Sequence, residues 1–129
     1  MAVTTNKEII EKVNAAFEQN NPEVFLDHCA EDVRWIMAGD DEIRTGKESV
    51  REFMASMGDI KLTSLDITAI IAEADSAACY GEMTMDEKGA STAYSYCDVY
   101  RFSGDKIAEL RSFVVKHKME GETEQAASA

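Results

Sequence analysis

The first part of the chain carries apolar residues at helical spacing, with charged residues between them. A first stripe over residues 6–20 consists of Ile9, Ile10, Val13, Ala16 and Phe17. Asn21-Pro22 then places a proline at the first position of a second helix, which reaches about Cys29. A third stripe follows Thr45-Gly46 and consists of Val50, Phe53, Met54 and Met57, with Gly58 as its cap. The pattern therefore predicts three helices, each with one apolar face.

Most of the remaining chain alternates between apolar and polar residues with a period of two. It predicts strands over residues 33–37, 60–71, 77–85, 92–102 and 106–116. The alternation changes phase near Thr63-Ser64, as a β-bulge makes it, and a bulge bends a sheet. The helices must bury their stripes against one sheet face. We therefore predict an α+β fold in which about three N-terminal helices pack on a strongly curved antiparallel sheet and enclose a pocket.

Length and charge restrict the classes of protein that fit. The 129 residues suit one domain over residues 1–119, followed by an acidic, flexible tail over residues 120–129. A formal net charge of −12 argues against nucleic acid and anionic membranes as partners. Three cysteines without paired spacing favour reduced thiols and a cytoplasmic location, and the N-terminus has no secretory pattern.

Metal ions and cofactors find no sequence support. The two histidines, His28 and His117, are far apart, and no glycine-rich phosphate loop occurs. We therefore predict neither a metal site nor a cofactor. His28 follows the second helix, where it can act as an acid or base or simply bond to the helix backbone. Cys79 and Cys97 fit small buried thiols better than nucleophiles.

The strand over residues 92–102 contains the strongest candidate for chemistry. Its alternation places one carboxylate among aromatic side chains on one face, in the order Tyr94, Tyr96, Asp98, Tyr100 and Phe102. If this face lines the pocket, burial raises the pKa of Asp98, and a neutral carboxyl can donate a hydrogen bond to a developing oxyanion. The alternative is that Asp98 is exposed, or pairs with Arg34 or Arg111.

Further pocket candidates come from the apolar stripes and from the neighbouring strand. These candidates, which core packing explains better than a pocket does, are Trp35, Met37, Phe53, Met54 and Met57. On the strand over residues 77–85, Tyr80 and Glu82 alternate with Cys79 and Gly81, and the sequence does not decide which set faces inward. Glu82 is therefore a second candidate carboxylate.

Several of these segments, taken in order, resemble the SnoaL-like branch of the nuclear transport factor 2-like superfamily over residues 6–117. They are Glu31-Asp32-Val33-Arg34-Trp35, Thr45-Gly46, Asp98-Val99-Tyr100-Arg101-Phe102 and Lys106-Ile107-Ala108-Glu109-Leu110-Arg111. The resemblance implies a cone-shaped fold, an apolar pocket for a small, largely apolar molecule, and a homodimer formed through the outer face of the sheet. Val13, Phe17, Leu110, Ser112 and Val114 complete the candidates for the pocket wall.

The same resemblance places Asp98 at the oxyanion-hole aspartate of ketosteroid isomerases. Their general base corresponds to Met37 and their tyrosine donor to Val13, neither of which transfers protons, although Asp40 or Asp41 can reach in from the loop. The aspartate of related epoxide hydrolases corresponds to Ser112. Fold alone does not decide function. The chain is expected to be an isomerase, cyclase or lyase acting on a carbonyl compound, or else a non-catalytic carrier or sensor, or a dimeric interaction module.

Overall fold

The computed structural model describes residues 2–19, 21–40, 42–57, 60–87 and 89–117. Its elements are α1 (Ala2–Glu18), α2 (Pro22–Asp27), β1 (Cys29–Met37), β2 (Ile43–Thr45), α3 (Lys47–Ser56), β3 (Ile60–Glu73), β4 (Ser76–Glu87), β5 (Ala90–Ser103) and β6 (Lys106–Lys116). The predicted α+β class is confirmed, with three helices in the N-terminal half of the described chain and a curved sheet. The predicted cap at Gly58 and the predicted tail over residues 120–129 lie outside the described residues.

The strands of the described chain form one sheet in the order β2-β1-β6-β5-β4-β3. Strands β3 to β6 are an antiparallel meander, whereas β1 pairs with β6 in parallel, with Trp35 opposite Leu110. The prediction of an antiparallel sheet thus holds for every pair but this one. Strand β2, which pairs Arg44 with Trp35, lies between the first predicted strand and the third predicted helix, where the sequence predicts no strand. A strand of three residues is too short to show an alternating pattern.

Two irregularities in β3 bend the sheet. The register against β4 shifts just before Ser64, where the sequence predicts a bulge, and again just after Ile67, where it does not. At the second shift a Cβ added to Gly81 would lie 1.9 Å from the carbonyl oxygen of Asp66. Only a residue without a side chain lets the two strands approach this closely. Gly81 is therefore part of what permits the curvature of the sheet.

The helices cover the concave face of the sheet with their apolar sides. Their buried apolar residues are Ile9, Ile10, Val13, Ala16, Phe25, Leu26 and Val50. Helix α2 begins at Pro22 and ends at Asp27, where the ring of His28 donates to the carbonyl oxygen of Val24 at 2.9 Å. Of the two roles that the sequence allows for His28, the structure shows the hydrogen bond to the helix backbone. The chain then enters β1 at Cys29, earlier than the alternation predicts.

Candidate functional site

A cavity of about 560 Å³ lies between the helices and the concave face of the sheet. This volume falls within the range of roughly 300–1,000 Å³ that small-molecule sites occupy. Most of the lining side chains are apolar, and the methionines among them are Met37, Met54, Met57, Met83 and Met85. Methionine is unbranched and flexible, so a wall of this kind adapts to ligands of different shape.

The structure brings many of the residues predicted from the sequence to this cavity. The helices and β1 contribute Phe17, Trp35, Met37, Met54 and Met57. The sheet contributes Tyr96, Asp98, Ser112 and Val114. Two adjacent strands, β5 and β6, therefore supply a polar strip at the wall, because Asp98 and Ser112 are register partners there.

Asp98 projects from β5 on the concave face and keeps part of its surface open to the cavity. Burial raises the pKa of its carboxyl from 3.8 to about 7, and a hydrogen bond with Ser112 partly opposes this rise. Cys79 stands opposite Asp98 on β4, and Tyr96 and Tyr100 flank it on its own strand. Near neutral pH the carboxyl is thus present in both its protonated and its ionised form.

The alternative environments considered for Asp98 do not occur. Glu109, rather than Asp98, contacts both arginines: its Oε1 lies 3.2 Å from Arg34 Nη1, and its Oε2 lies 3.9 Å from Arg111 Nη2. Arg101 adds a third contact to the same carboxylate at 3.4 Å. The arginine side chains that the sequence offered as partners are therefore engaged by a different residue.

Trp35 connects β1 to the polar strip. Its indole Nε1 donates to the hydroxyl oxygen of Ser112 at 3.1 Å. The ring is held by edge contacts to Phe25 and Phe53, at centroid distances of 5.7 and 5.3 Å. Because the Ser112 oxygen accepts from the indole, its own hydrogen is available to the carboxyl of Asp98. The indole thereby orients the hydroxyl that acts on Asp98.

Asn14 of α1 is a polar group of this cavity that the sequence analysis did not single out. Its side chain lines the cavity, is 3% exposed, and donates through Nδ2 to the sulfur of Cys79 at 3.1 Å. Tyr96 lies on the same wall, where its hydroxyl donates to the carbonyl oxygen of Asp66 at 3.2 Å. Asn14 follows Val13 on the apolar side of the predicted first helix. A polar residue at such a position was the signal that could have identified it as a cavity residue.

Other predicted site residues lie away from the cavity wall. Val13 and Leu110 are enclosed in the core, and Tyr94 is partly buried but does not line the cavity. Phe53 packs behind Trp35, with the guanidinium carbon of Arg44 4.4 Å from its ring centroid. Sequence periodicity identifies the apolar side of an element but does not distinguish core positions from cavity positions.

Tyr80 and Glu82 lie on the opposite face of the sheet, because β4 turns Cys79 and Gly81 inward. Tyr80 is exposed. The carboxylate of Glu82 lies 2.8 Å from His117 Nε2 and accepts from the hydroxyl of Ser95 at 3.0 Å. Glu82 is therefore not a second carboxylate of the cavity.

The wall also contains residues that the sequence analysis left out. They are Asn21, Pro22, Ile60, Lys61, Leu62, Leu65, Met83 and Met85, besides Asn14. The bulge before Ser64 explains how Leu62 and Leu65, which have opposite parity in sequence, reach the same wall. The predicted change of phase could have identified these two as wall residues. Asn21 and Pro22, at the junction of α1 and α2, join the wall only in the tertiary structure.

Tyr100 carries a buried hydroxyl that finds no hydrogen-bond partner among the described residues. The side chain is fully buried and stacks on Phe102 at a centroid distance of 6.3 Å. Burial raises the pKa of this phenol well above its ordinary value, and the nearby Asp98 adds to the effect. The hydroxyl therefore stays protonated next to the carboxyl.

The described part of the chain does not arrange side chains for the other chemistries considered, which are a base from the loop aspartates, a cysteine nucleophile and a metal site. Asp40 is exposed and its carboxylate accepts from the backbone of Glu42 at 3.0 Å, while Asp41 lies outside the described residues. Burial raises the pKa of the Cys79 thiol, which disfavours a thiolate nucleophile. Within the described ranges no group of three or more His, Cys, Asp or Glu side chains is arranged to hold a metal ion. No helix there is long and apolar enough to cross a membrane.

Comparison with known proteins gives a family match and several structural neighbours. The family model described as SnoaL-like domain matches residues 10–110. A search of curated proteins gives no match. An LEH-like epoxide hydrolase from M. tuberculosis superposes with a TM-score of 0.77 and 13% identity, covering 87% of this chain and 84% of that one.

Two further solved structures have the same fold. A nuclear transport factor 2-like protein of unknown function from Cytophaga hutchinsonii ATCC 33406 has a TM-score of 0.69 and 22% identity, covering 89% of this chain and all of that one. A protein with a ketosteroid isomerase-like fold from Catenulispora acidiphila DSM 44928, solved with trimethylamine, has a TM-score of 0.70 and 19% identity, covering 81% and 83% of the two chains. At these identities the likeness establishes the fold alone.

Proposed function

Because the chain belongs to the SnoaL-like domain family, we propose that its cavity binds a small, largely apolar carbonyl compound, with Asp98 at the polar end of the site. The observation that carries the proposal is the position of this carboxyl in the cavity wall, where burial raises its pKa to about 7. An apolar wall with few polar groups is typical of sites that enclose small organic ligands.

The proposed chemistry is proton transfer at the ligand carbonyl or at the carbon next to it. Protonated Asp98 donates a hydrogen bond to the carbonyl oxygen and stabilises the negative charge that develops there, and ionised Asp98 accepts a proton. A group with a pKa near 7 performs either task at neutral pH. The reaction class is therefore an isomerisation, cyclisation or elimination.

A non-catalytic carrier or sensor is the second candidate, and the lining of the cavity favours it. Among the residues described at the cavity, Asp98 is the only carboxylate and no histidine is present. The sequence resemblance implies that Met37 corresponds to the general base of ketosteroid isomerases, and a methionine cannot take a proton. A carrier needs shape and one polar anchor, which the cavity provides without a second base.

Binding followed across pH tests the role of Asp98. The probe is 4-(2-naphthyl)butan-2-one, an apolar ketone that offers only a hydrogen-bond acceptor. Its affinity should rise as pH falls through about 7, because Asp98 becomes a donor, and Asp98→Asn should remove this dependence. If native protein and variant bind equally at every pH, Asp98 does not anchor the ligand.

The same titration distinguishes a cationic ligand. One structural relative was solved with trimethylamine, and here Phe17, Trp35 and Tyr96 surround the cavity together with Asp98. Aromatic rings and a carboxylate attract ammonium groups. The affinity for protonated trimethylamine should increase above pH 7, where Asp98 is ionised. This pH dependence is the reverse of that expected for the ketone. Tighter binding of the amine than of the ketone at pH 8 would replace the carbonyl proposal.

Catalysis is tested separately by exchange of protons next to the ketone carbonyl in deuterium oxide, followed by proton magnetic resonance. If the protein is an enzyme, exchange should be faster with native protein than in buffer alone, and slower with Asp98→Asn than with native protein. Binding without exchange supports the carrier for this ligand.

We also propose a homodimer formed through the convex face, defined as the side of strands β3 to β6 that points away from the cavity. Its exposed apolar residues are Ile71, Tyr80, Val99, Phe113 and Val115. Ile71 and Val115 are 62% and 65% exposed, which is high for side chains of this size on one face of a sheet. Native mass spectrometry at micromolar concentration should give twice the chain mass of 14.3 kDa. If native protein has the mass of a monomer, and Val115→Lys leaves that mass unchanged, the proposal is contradicted.

A further inference from the structure

Asn14 is a buried polar residue in a cavity wall that is otherwise mostly apolar. It belongs to the same helix as the core residues Ile10 and Val13, and its side chain is 3% exposed. A carboxamide offers two N–H donors and a carbonyl oxygen with two lone pairs. Among the described residues, its side chain makes one hydrogen bond, the contact from Nδ2 to the sulfur of Cys79 at 3.1 Å. Most of its hydrogen-bonding capacity is thus directed at the cavity that it lines.

Burying an amide without partners is unfavourable by about 1–3 kcal/mol. A core that required only volume at this position would be better filled by leucine, which also has a higher helix propensity than asparagine. The carbonyl oxygen and the second N–H of Asn14 make no hydrogen bond within the described residues, so both are available to a ligand in the cavity.

The contact with Cys79 fixes where this amide points. Cys79 is fully buried and stands directly opposite Asp98 in the pairing of β4 with β5. Directly opposite residues have Cβ atoms about 5 Å apart. The bond to the sulfur therefore brings the amide nitrogen of Asn14 to within about 10 Å of the Cβ of Asp98. Both side chains line the same cavity, so a ligand with two oxygen atoms can form a hydrogen bond with each of them.

We propose that Asn14 is a second ligand contact beside Asp98, held in place by Cys79, and that the pair selects a ligand carrying a hydroxyl group close to its carbonyl. Asp98 donates to the carbonyl oxygen, and the Asn14 oxygen accepts from the hydroxyl. Asn14 is a specificity residue, and Cys79 is a positioning residue that does not touch the ligand. This inference rests on the proposed function, since it requires the cavity to bind a carbonyl compound.

The test compares two ligands that differ only at the proposed second contact. They are 4-hydroxy-4-(2-naphthyl)butan-2-one and its 4-methoxy ether, titrated calorimetrically at pH 6 with native protein. The ether keeps the ketone but lacks the hydroxyl hydrogen, so native protein should bind it about tenfold more weakly, the effect of one hydrogen bond of about 1.4 kcal/mol. With Asn14→Leu the ratio of the two affinities should fall close to one.

Asn6→Leu is the matched control. Asn6 lies on the same helix, is 2% exposed, and donates to the carbonyl oxygen of Ala74 at 3.3 Å, away from the cavity. This variant should keep the tenfold ratio even if it lowers stability. If Asn14→Leu also keeps the ratio, Asn14 is not a ligand contact and the inference is wrong.

The Cys79 variants keep the inference testable if Asn14→Leu does not fold. Cys79→Ser retains an acceptor for the amide and should preserve most of the preference for the hydroxy ketone, whereas Cys79→Ala should reduce it severalfold. Equal ratios in these two variants would contradict the positioning role. Failure of the proposed function is a separate outcome, in which native protein binds neither ketone, or in which binding of both is unaffected by Asp98→Asn.

Discussion

Replacing Asp98 by asparagine should change how the stability of the protein depends on pH. In the folded chain burial raises the pKa of this carboxyl from 3.8 to about 7. A pKa that is higher in the folded than in the unfolded state means that the folded state binds the proton more tightly. Asp98 therefore lowers the free energy of unfolding as pH rises from about 4 to about 7, and its effect is constant above that range.

The size of this effect follows from the two pKa values. They differ by about three, and each pKa unit corresponds to about 1.4 kcal/mol, so ionisation of the folded carboxyl costs about 4 kcal/mol. Asparagine has a similar shape and no ionisable group. The free energy of unfolding of Asp98→Asn, relative to native protein, should therefore rise by about 2 kcal/mol between pH 5 and pH 7 and become constant above about pH 8.

Urea denaturation at several pH values measures this difference, with the fluorescence of Trp35, the single tryptophan of the chain, as the signal. The matched control is Asp105→Asn, which makes the same chemical change at an exposed turn between β5 and β6. Taking each variant relative to native protein removes the contribution of the other carboxylates. A difference for Asp98→Asn that stays constant from pH 5 to pH 8 would refute the burial of an ionisable carboxyl at the cavity.

Three further substitutions test the packing and hydrogen bonding around the site. Tyr100→Phe removes a buried hydroxyl without a described partner and should raise the free energy of unfolding by about 1 kcal/mol, whereas a loss of that size in urea denaturation would mean that the hydroxyl is bonded. Gly81→Ala places a Cβ 1.9 Å from the Asp66 carbonyl oxygen, so its denaturation midpoint should fall by an amount equivalent to about 3 kcal/mol, and a midpoint equal to native would disprove the close approach. Ser112→Ala removes the hydrogen bond that lowers the pKa of Asp98, so a carbon-13 titration of this carboxyl should move to higher pH, and an unchanged or lower value would exclude that bond.

The order of helices and strands could be predicted from the sequence because burial on one side leaves a periodic trace. The stripe through Ile9, Ile10 and Val13 predicts α1, and the alternation from Tyr94 to Phe102 predicts β5 and places Asp98 on one face with aromatic residues. The phase change near Ser64 predicts a bulge where the register shifts. Each of these signals comes from neighbouring positions in the chain, which share one secondary-structure element.

The distribution of residues between core and cavity could not be predicted in the same way. Val13 and Asn14 are adjacent on one helix and both are buried, yet only Asn14 lines the cavity. Likewise, the direction of β4 was open in the sequence, because Tyr80 and Cys79 fit either face. Packing against other elements decides such cases, since the cavity is the space that those elements leave unfilled.

The sequence by itself determined the fold class, the curvature of the sheet at its first bulge and the candidate carboxyl at position 98. Only the tertiary structure decided that Asp98 stands between Cys79 and Ser112 from two neighbouring strands, with Asn14 hydrogen-bonded to the Cys79 sulfur. The physical reason is that periodicity records which side of an element is buried. The pKa and the hydrogen bonds of a carboxyl depend instead on groups brought close from distant parts of the chain.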